Sequence, residues 1–179
     1  MQYPVYKPKF FPNTQKYVNE CLAETWISSR GSFINKFEAT FANYLGIKYA
    51  TTVNNGTAAL HMCLCALGLG EGDEVIVPTL TYIASVNAIK YVGAEPIFVD
   101  SEKATWNLNV DLVESLITKN TKAIMAVHLY GNPCDMKALR ELCDKRGLFL
   151  IEDVAEALGS TFENKFLGTF GDIAAFSFF

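Results

Sequence analysis

Continuous apolar runs alternate along this chain with segments whose apolar residues recur at threes and fours. The runs at 74–77, 96–99, 121–127 and 148–151 are the signature of strands covered on both faces. Between them, helical spacing marks 14–27, 58–67, 81–91, 109–119 and 135–146. A further helix is marked by Phe33, Phe37, Phe41, Tyr44 and Leu45 and ended by Gly46. Asn109 is the expected cap of its helix. A short strand is expected at 49–53, a small hairpin or loop around Asn164, and a final strand over 172–178. Strands alternating with helices through short linkers predict an α/β fold: three layers, a mainly parallel sheet, helices on both faces.

Length and composition narrow this picture. The 179 residues suffice for one sizeable core. The first thirty read as an aromatic N-terminal arm (1–13) followed by a helix, and 31–179 as part of one large α/β domain. A net charge of −4 gives no basic face for nucleic acid or an anionic membrane. The five cysteines are odd in number and irregularly spaced, and Cys63 and Cys65 point apart on a helix, so they read as buried thiols in a reducing compartment rather than a metal knuckle. No signal-peptide pattern or long apolar span is present in the sequence, and a cytoplasmic protein is expected. The last residues, Ala174 to Phe179, stop inside an apolar run, which suggests a piece of a longer protein.

Four chemistry-bearing groups follow strand ends and so gather at one sheet edge, where open α/β sheets bind ligands. They are 54–57 (NNGT), Thr79 to Tyr82, His128, and the acids Glu152 and Asp153. Asn55, Gly56 and Thr57 open a helix, which suits either a plain N-cap or an anion seat, since first-turn N–H groups lack helical acceptors. The acids are either surface residues or partners of a cation. Together the groups suit a phosphorylated, aromatic, cationic small molecule. The sequence holds no GxxxxGK[ST], GxGxxG or HExxH motif.

The ordered segments NNGTAAL (54–60), GEGDEVIVPTLTYIASVNAI (70–89), VHLYGNPCDM (127–136), IEDVAEALGS (151–160) and GDIAAFSF (171–178) strongly resemble the DegT/StrS-type sugar aminotransferases. These are pyridoxal 5'-phosphate (PLP) enzymes of the aspartate-aminotransferase fold, and the wording is similar to members that aminate GDP-4-keto-6-deoxymannose. The resemblance implies that Asp153 pairs with the pyridinium nitrogen and Tyr82 stacks on the ring. It also implies that Gly56, Thr57 and Ser177, beside Asn55, hold the phosphate. Glu156 stands where many relatives have glutamine, near the cofactor's phenolic oxygen. There an unpaired carboxylate meets repulsion. His128, at a strand end, is a further candidate for a functional residue, and Asp100 reads as structural.

The same resemblance implies transfer of an amino group from L-glutamate to a 4-keto nucleotide sugar by a homodimer with shared sites. The family's Schiff-base lysine follows the serine by about five residues. Ser177 is present, the chain ends at Phe179, and Lys122, Lys145 and Lys165 fall outside that slot. The C-terminal small domain is likewise outside the chain, so these 179 residues alone are expected to be inactive. Two alternatives stay open: a dehydrase with histidine in the slot, and a non-catalytic phosphate- or sugar-binding module.

Overall fold

The computed structural model describes residues 9–179, so most of the expected aromatic arm lies outside the described residues. The chain forms two compact units, Met1–Thr52 and Val53–Phe179. In the first unit, α1 (Thr14–Ala23) and α2 (Ser32–Leu45) form as the spacing predicts, α1 being shorter by four residues at its C-terminal end. Gly46 closes α2 in the left-handed region (φ 70°), with Ile47 N–H donating to Ala42 O at 3.0 Å and Gly46 N–H to Asn43 O at 3.2 Å. The expected strand at 49–53 does not form. The Thr52 amide donates instead to the Glu38 carboxylate (2.8 Å), as does its hydroxyl (2.9 Å), so the ladder donor is diverted to a side chain.

The second unit carries α3 (Gly56–Ala66), β1 (Glu74–Pro78), α4 (Ile83–Tyr91), β2 (Glu95–Val99), α5 (Val110–Leu116) and β3 (Thr121–Val127). A 3-10 turn (Leu129–Gly131), α6 (Met136–Arg146), β4 (Phe149–Asp153), the short strands β5 (Thr161–Phe162) and β6 (Lys165–Phe166), and β7 (Ile173–Ala175) follow. Asn109 caps α5 as expected, accepting from Asp111 N–H at 3.1 Å. That helix ends early because Thr118 N–H turns to Thr121 Oγ1 (2.9 Å), and both threonine hydroxyls donate to Glu74. Glu163 and Asn164 take φ 48° and 63°, the two positive values a tight type I′ hairpin needs, so the hairpin reading holds. The final strand is shorter than expected, three residues long.

Five strands lie in the order β2-β1-β3-β4-β7, and every pair is parallel. The predicted three-layer arrangement is therefore present. Strand residues alternate between the two faces. Val75, Val77, Ala123, Met125, Val127, Ile151 and Ala175 pack with α3 and α4 through Leu60, Leu64, Ala88 and Ile89. Ile76, Ile124, Ala126 and Leu150 pack with α5 and α6 through Val113, Met136, Leu139 and Cys143. Each fully buried aliphatic side chain here contributes about 1.5–3 kcal/mol. The consequence for the strand end is simple. Asp153 shares the face of Ile151, and Glu152 the opposite face of Leu150.

Among the described residues, no helix is long and apolar enough to cross a membrane. The thiols divide: Cys63, Cys134 and Cys143 are buried, Cys21 is half-buried and Cys65 is exposed. The expectation of five buried thiols is corrected for the last two, because α3 turns position 65 away from the sheet and α1 buries no residue.

Close packing between β4 and the approach to β7 is the tightest backbone constraint. A Cβ on Gly171 would stand 2.5 Å from the Leu150 carbonyl oxygen, an atom of a central strand that cannot swing aside. Gly171→Ala is expected to cost about 1–3 kcal/mol as overpacking, read as a lowered urea midpoint. Gly72→Ala, where the left-handed φ of 88° is strained but no atom lies within 4 Å, is expected to cost about 1 kcal/mol.

Candidate functional site

The C-terminal edge of the sheet carries the predicted groups because each directly follows a strand or opens a helix. Asn55 has extended backbone and caps α3, its side chain accepting from Ala58 N–H at 2.8 Å. The capped helix leaves the amides of Gly56 and Thr57 at its opening turn. Gly56 lies against the end of β7: a Cβ there would be 3.0 Å from Ser177 Cβ and 3.2 Å from its Oγ. A hydroxyl and a helix N-terminus therefore stand side by side, with no side chain on Gly56 to fill the approach. Such an arrangement suits an anion.

Asp153 ends β4 on the α3/α4 face and is 5% exposed. Its Oδ2 accepts from the Ser85 hydroxyl at 2.8 Å and its Oδ1 from Ala155 N–H at 3.2 Å. Ser85 spends its proton on Asp153, so the 2.9 Å contact with Thr81 Oγ1 makes threonine the donor there. Burial raises the Asp153 pKa above its ordinary value, more than the bonds from Ser85 and Ala155 lower it. A buried carboxylate served by a hydroxyl and an amide, both neutral, has no charged partner of its own and suits a cation. Tyr82 is the N-cap residue of α4, three positions before Ser85, with extended backbone and its side chain exposed (75%).

Glu152 behaves differently. It is fully buried on the other face and accepts from Phe170 N–H (2.8 Å), Gly171 N–H (2.6 Å), Gly168 N–H (2.7 Å) and His128 Nε2 (3.2 Å). Burial pushes its pKa up, but the bonds from His128, Gly171 and Gly168 outweigh this and hold the carboxyl below its usual range. His128 Nδ1 accepts from Cys134 N–H at 3.2 Å, which fixes the proton on Nε2, pointing at Glu152. The site candidate His128 is thus engaged within the protein. It does stand at a strand end, yet its ring is fully buried and both nitrogens are engaged by protein, so it is not presented to a ligand.

Glu156 Oε2 accepts from Tyr130 N–H at 2.7 Å. Tyr130 sits in the left-handed region (φ 52°, ψ 28°) with its ring exposed. This carboxylate thus has a backbone donor, a partner that sequence reading did not foresee. Sequence reading also missed Ser85. Its signal was present: a serine among Ala84, Ala88 and Ile89 on the buried face of α4 is a polar group that needs a buried partner. Among the described residues, no cluster of three or more His, Cys, Asp or Glu side chains is placed to hold a metal.

The profile of the DegT/DnrJ/EryC1/StrS aminotransferase family matches residues 10–179. GDP-perosamine synthase of Escherichia coli O157:H7 is 62% identical over 176 residues, 98% of this chain and 48% of that protein. The PLP form of a putative sugar aminotransferase from Streptococcus pneumoniae superposes with a TM-score of 0.95 at 32% identity, over 100% of this chain and 49% of that one. GDP-4-keto-6-deoxymannose-3-dehydratase, as a histidine-to-asparagine mutant with bound GDP-perosamine, gives 0.93 at 31% identity, over 99% and 47%. The chain spans about half the length of the relatives it matches.

The two neighbouring acids are expected to give stability opposite pH slopes. Glu152, with its folded pKa lowered, contributes fully above its ordinary value of 4.5 and loses that contribution as pH falls through the folded value. Asp153, with its folded pKa raised, fits best below its ordinary 3.8, and that contribution is lost as pH rises through the folded value. In urea melts without ligand, Glu152→Gln is expected to lose about 2–3 kcal/mol near neutral pH and to flatten the acid limb. Asp153→Asn should gain on wild type as pH rises. Parallel pH profiles for wild type and both variants would refute this assignment.

Proposed function

The chain belongs to the DegT/DnrJ/EryC1/StrS aminotransferase family, and on that premise we propose that the full-length protein is a PLP-dependent enzyme. In this reading it transfers an amino group from L-glutamate to a GDP-linked 4-keto-6-deoxy sugar. The observation that carries the reading is the separation of charge preferences on one face. A buried carboxylate, Asp153, prefers a cation, and the seat formed by Gly56, Thr57 and Ser177 prefers an anion. A protonated pyridine ring bearing a phosphate ester satisfies both. The residues present therefore fit the cofactor. The nature of the sugar is supported by the identity to GDP-perosamine synthase.

When bound, PLP supplies an electron sink for the carbanion formed next to the transferred nitrogen. This chain's own part is to hold and polarise it. Asp153 keeps a proton on the ring nitrogen, because a pyridinium beside it offsets the cost of its own burial. Ser85, itself held by Thr81, orients Asp153 Oδ2. Tyr82 offers its exposed ring as a stacking surface. The amides of Gly56 and Thr57 and the Ser177 hydroxyl bind the phosphate and fix the cofactor's far end. Glu156 holds the Tyr130 amide at the rim of the same edge. The residue that decides between amino transfer and dehydration stands beyond Phe179 in this reading: lysine for transfer, histidine for dehydration.

The purified full-length protein is expected to show a PLP absorbance band that shifts on addition of L-glutamate. Bound cofactor whose spectrum ignores every amino donor would defeat transamination and leave the dehydrase reading. Asp153→Ala in that protein removes a buried charge partner worth about 3–5 kcal/mol. PLP affinity and turnover should fall by roughly two to three powers of ten; unchanged turnover would sink the ring-nitrogen role.

A further inference from the structure

Glu152 has no place in the cofactor chemistry just described, yet it is among the most completely bonded side chains in the protein. A carboxylate offers about four lone-pair sites. Its four donors are the amides of Gly168, Phe170 and Gly171 and the His128 imidazole, so no site remains for a ligand. Three of those donors lie in one short segment, 168–171, the approach to β7. The segment cannot move toward β4, because Gly171 already lies against the Leu150 carbonyl.

The consequence appears further along the chain. A Cβ on Gly168 would stand 2.2 Å from Cζ of the Phe176 ring, so that ring occupies the space that glycine leaves open. Where Gly168 is held, Phe176 is seated. Phe176 is followed at once by Ser177, whose side chain packs on Gly56 at the N-terminus of α3. The strand beneath is pinned too, with Val154 N–H donating to Ala175 O at 2.9 Å.

We propose that Glu152 is a positioning residue for the phosphate end of the site: its carboxylate anchors 168–171, the anchored segment seats Phe176, and the seated ring fixes the Ser177 hydroxyl against α3. His128 completes the anchor, since the Cys134 amide on its Nδ1 commits Nε2 to Glu152. The proposal rests on the cofactor reading above, because it takes the group bound between Ser177 and α3 to be a phosphate ester. It assigns the two adjacent acids to two ends of one ligand. Asp153 serves the ring directly, and Glu152 serves the phosphate from behind the sheet.

The test compares PLP with pyridoxal, which lacks the phosphate, as ligands of the full-length protein. In Glu152→Gln the amide NH₂ faces main-chain N–H groups and the anchor loosens. PLP affinity should fall roughly ten- to a hundredfold while pyridoxal affinity holds, so the advantage conferred by the phosphate shrinks. Hydrogen exchange at the amides of Gly168, Phe170 and Gly171 and over 175–178 should quicken together. Phe176→Leu leaves the carboxylate untouched and should show the same selective loss; it carries the test if Glu152→Gln does not fold. Equal losses for both ligands, as a general loosening of the fold produces, or an unchanged ratio would overturn the proposal. A wild type that binds PLP no better than pyridoxal would instead remove the cofactor reading, and this inference with it.

Discussion

Two carboxylates are buried side by side at the end of β4, and the fold treats them in opposite ways. Removing an ionised carboxylate from water costs several kcal/mol even after relaxation. For Glu152 that cost is offset inside the protein by three amides and an imidazole, and the carboxyl is held below its usual range. For Asp153 it is not: a hydroxyl and an amide leave the group raised by burial. One acid is fully paired within the protein; the other is not, and the proposed function gives it a cation as partner. The strand's two-residue alternation separates the roles, since adjacent side chains must point to opposite faces.

This division links packing to function. The face that holds Asp153 also holds α3, α4 and Ser177, the groups to which the proposed function gives the ligand. The Glu152 face holds α5, α6, His128 and the 168–171 segment, which read only protein. Each carries its own apolar cluster, and on the support side the buried Glu152 and His128 are bonded within the protein. For a ligand gripped at two ends, a loose seat at either end would forfeit binding free energy to ordering.

Much of this architecture was legible in the chain. The run at 121–127 became β3 residue for residue, Asn109 and Asn55 became caps, and Asn164 marked the hairpin, because each depends on local chemistry alone. The strand expected at 49–53 failed for a non-local reason, the capture of Thr52 by Glu38 fourteen residues earlier. At the site, spacing alone gathered a helix opening, an aromatic ring, an imidazole and two acids at one edge, and left open whether the first was a plain cap and the acids mere surface residues. The resemblance to the family supplied PLP as the expected ligand. What neither showed was that Ser85 orients Asp153, or that His128 faces away from it, since both facts depend on which face a residue takes once the sheet is assembled.

Glu156 shows how such a contact resolves an apparent conflict. As a bare carboxylate near a phenolate oxygen it would repel, and a glutamine in its place would not. The structure gives it a donor, the Tyr130 amide at 2.7 Å. Tyr130 occupies a left-handed backbone state that costs a non-glycine residue about 1–2 kcal/mol, and a charge-assisted hydrogen bond of this kind is worth a similar amount. The acid is thereby committed to the strained turn, and its charge is partly satisfied before any ligand arrives. Glutamine has an oxygen for the same amide, so the turn tolerates either residue. The difference falls on the other side-chain atom, an amide donor in one case and an acceptor in the other. In the proposed site, the residue at 156 changes the polarity of the rim and leaves that backbone contact in place.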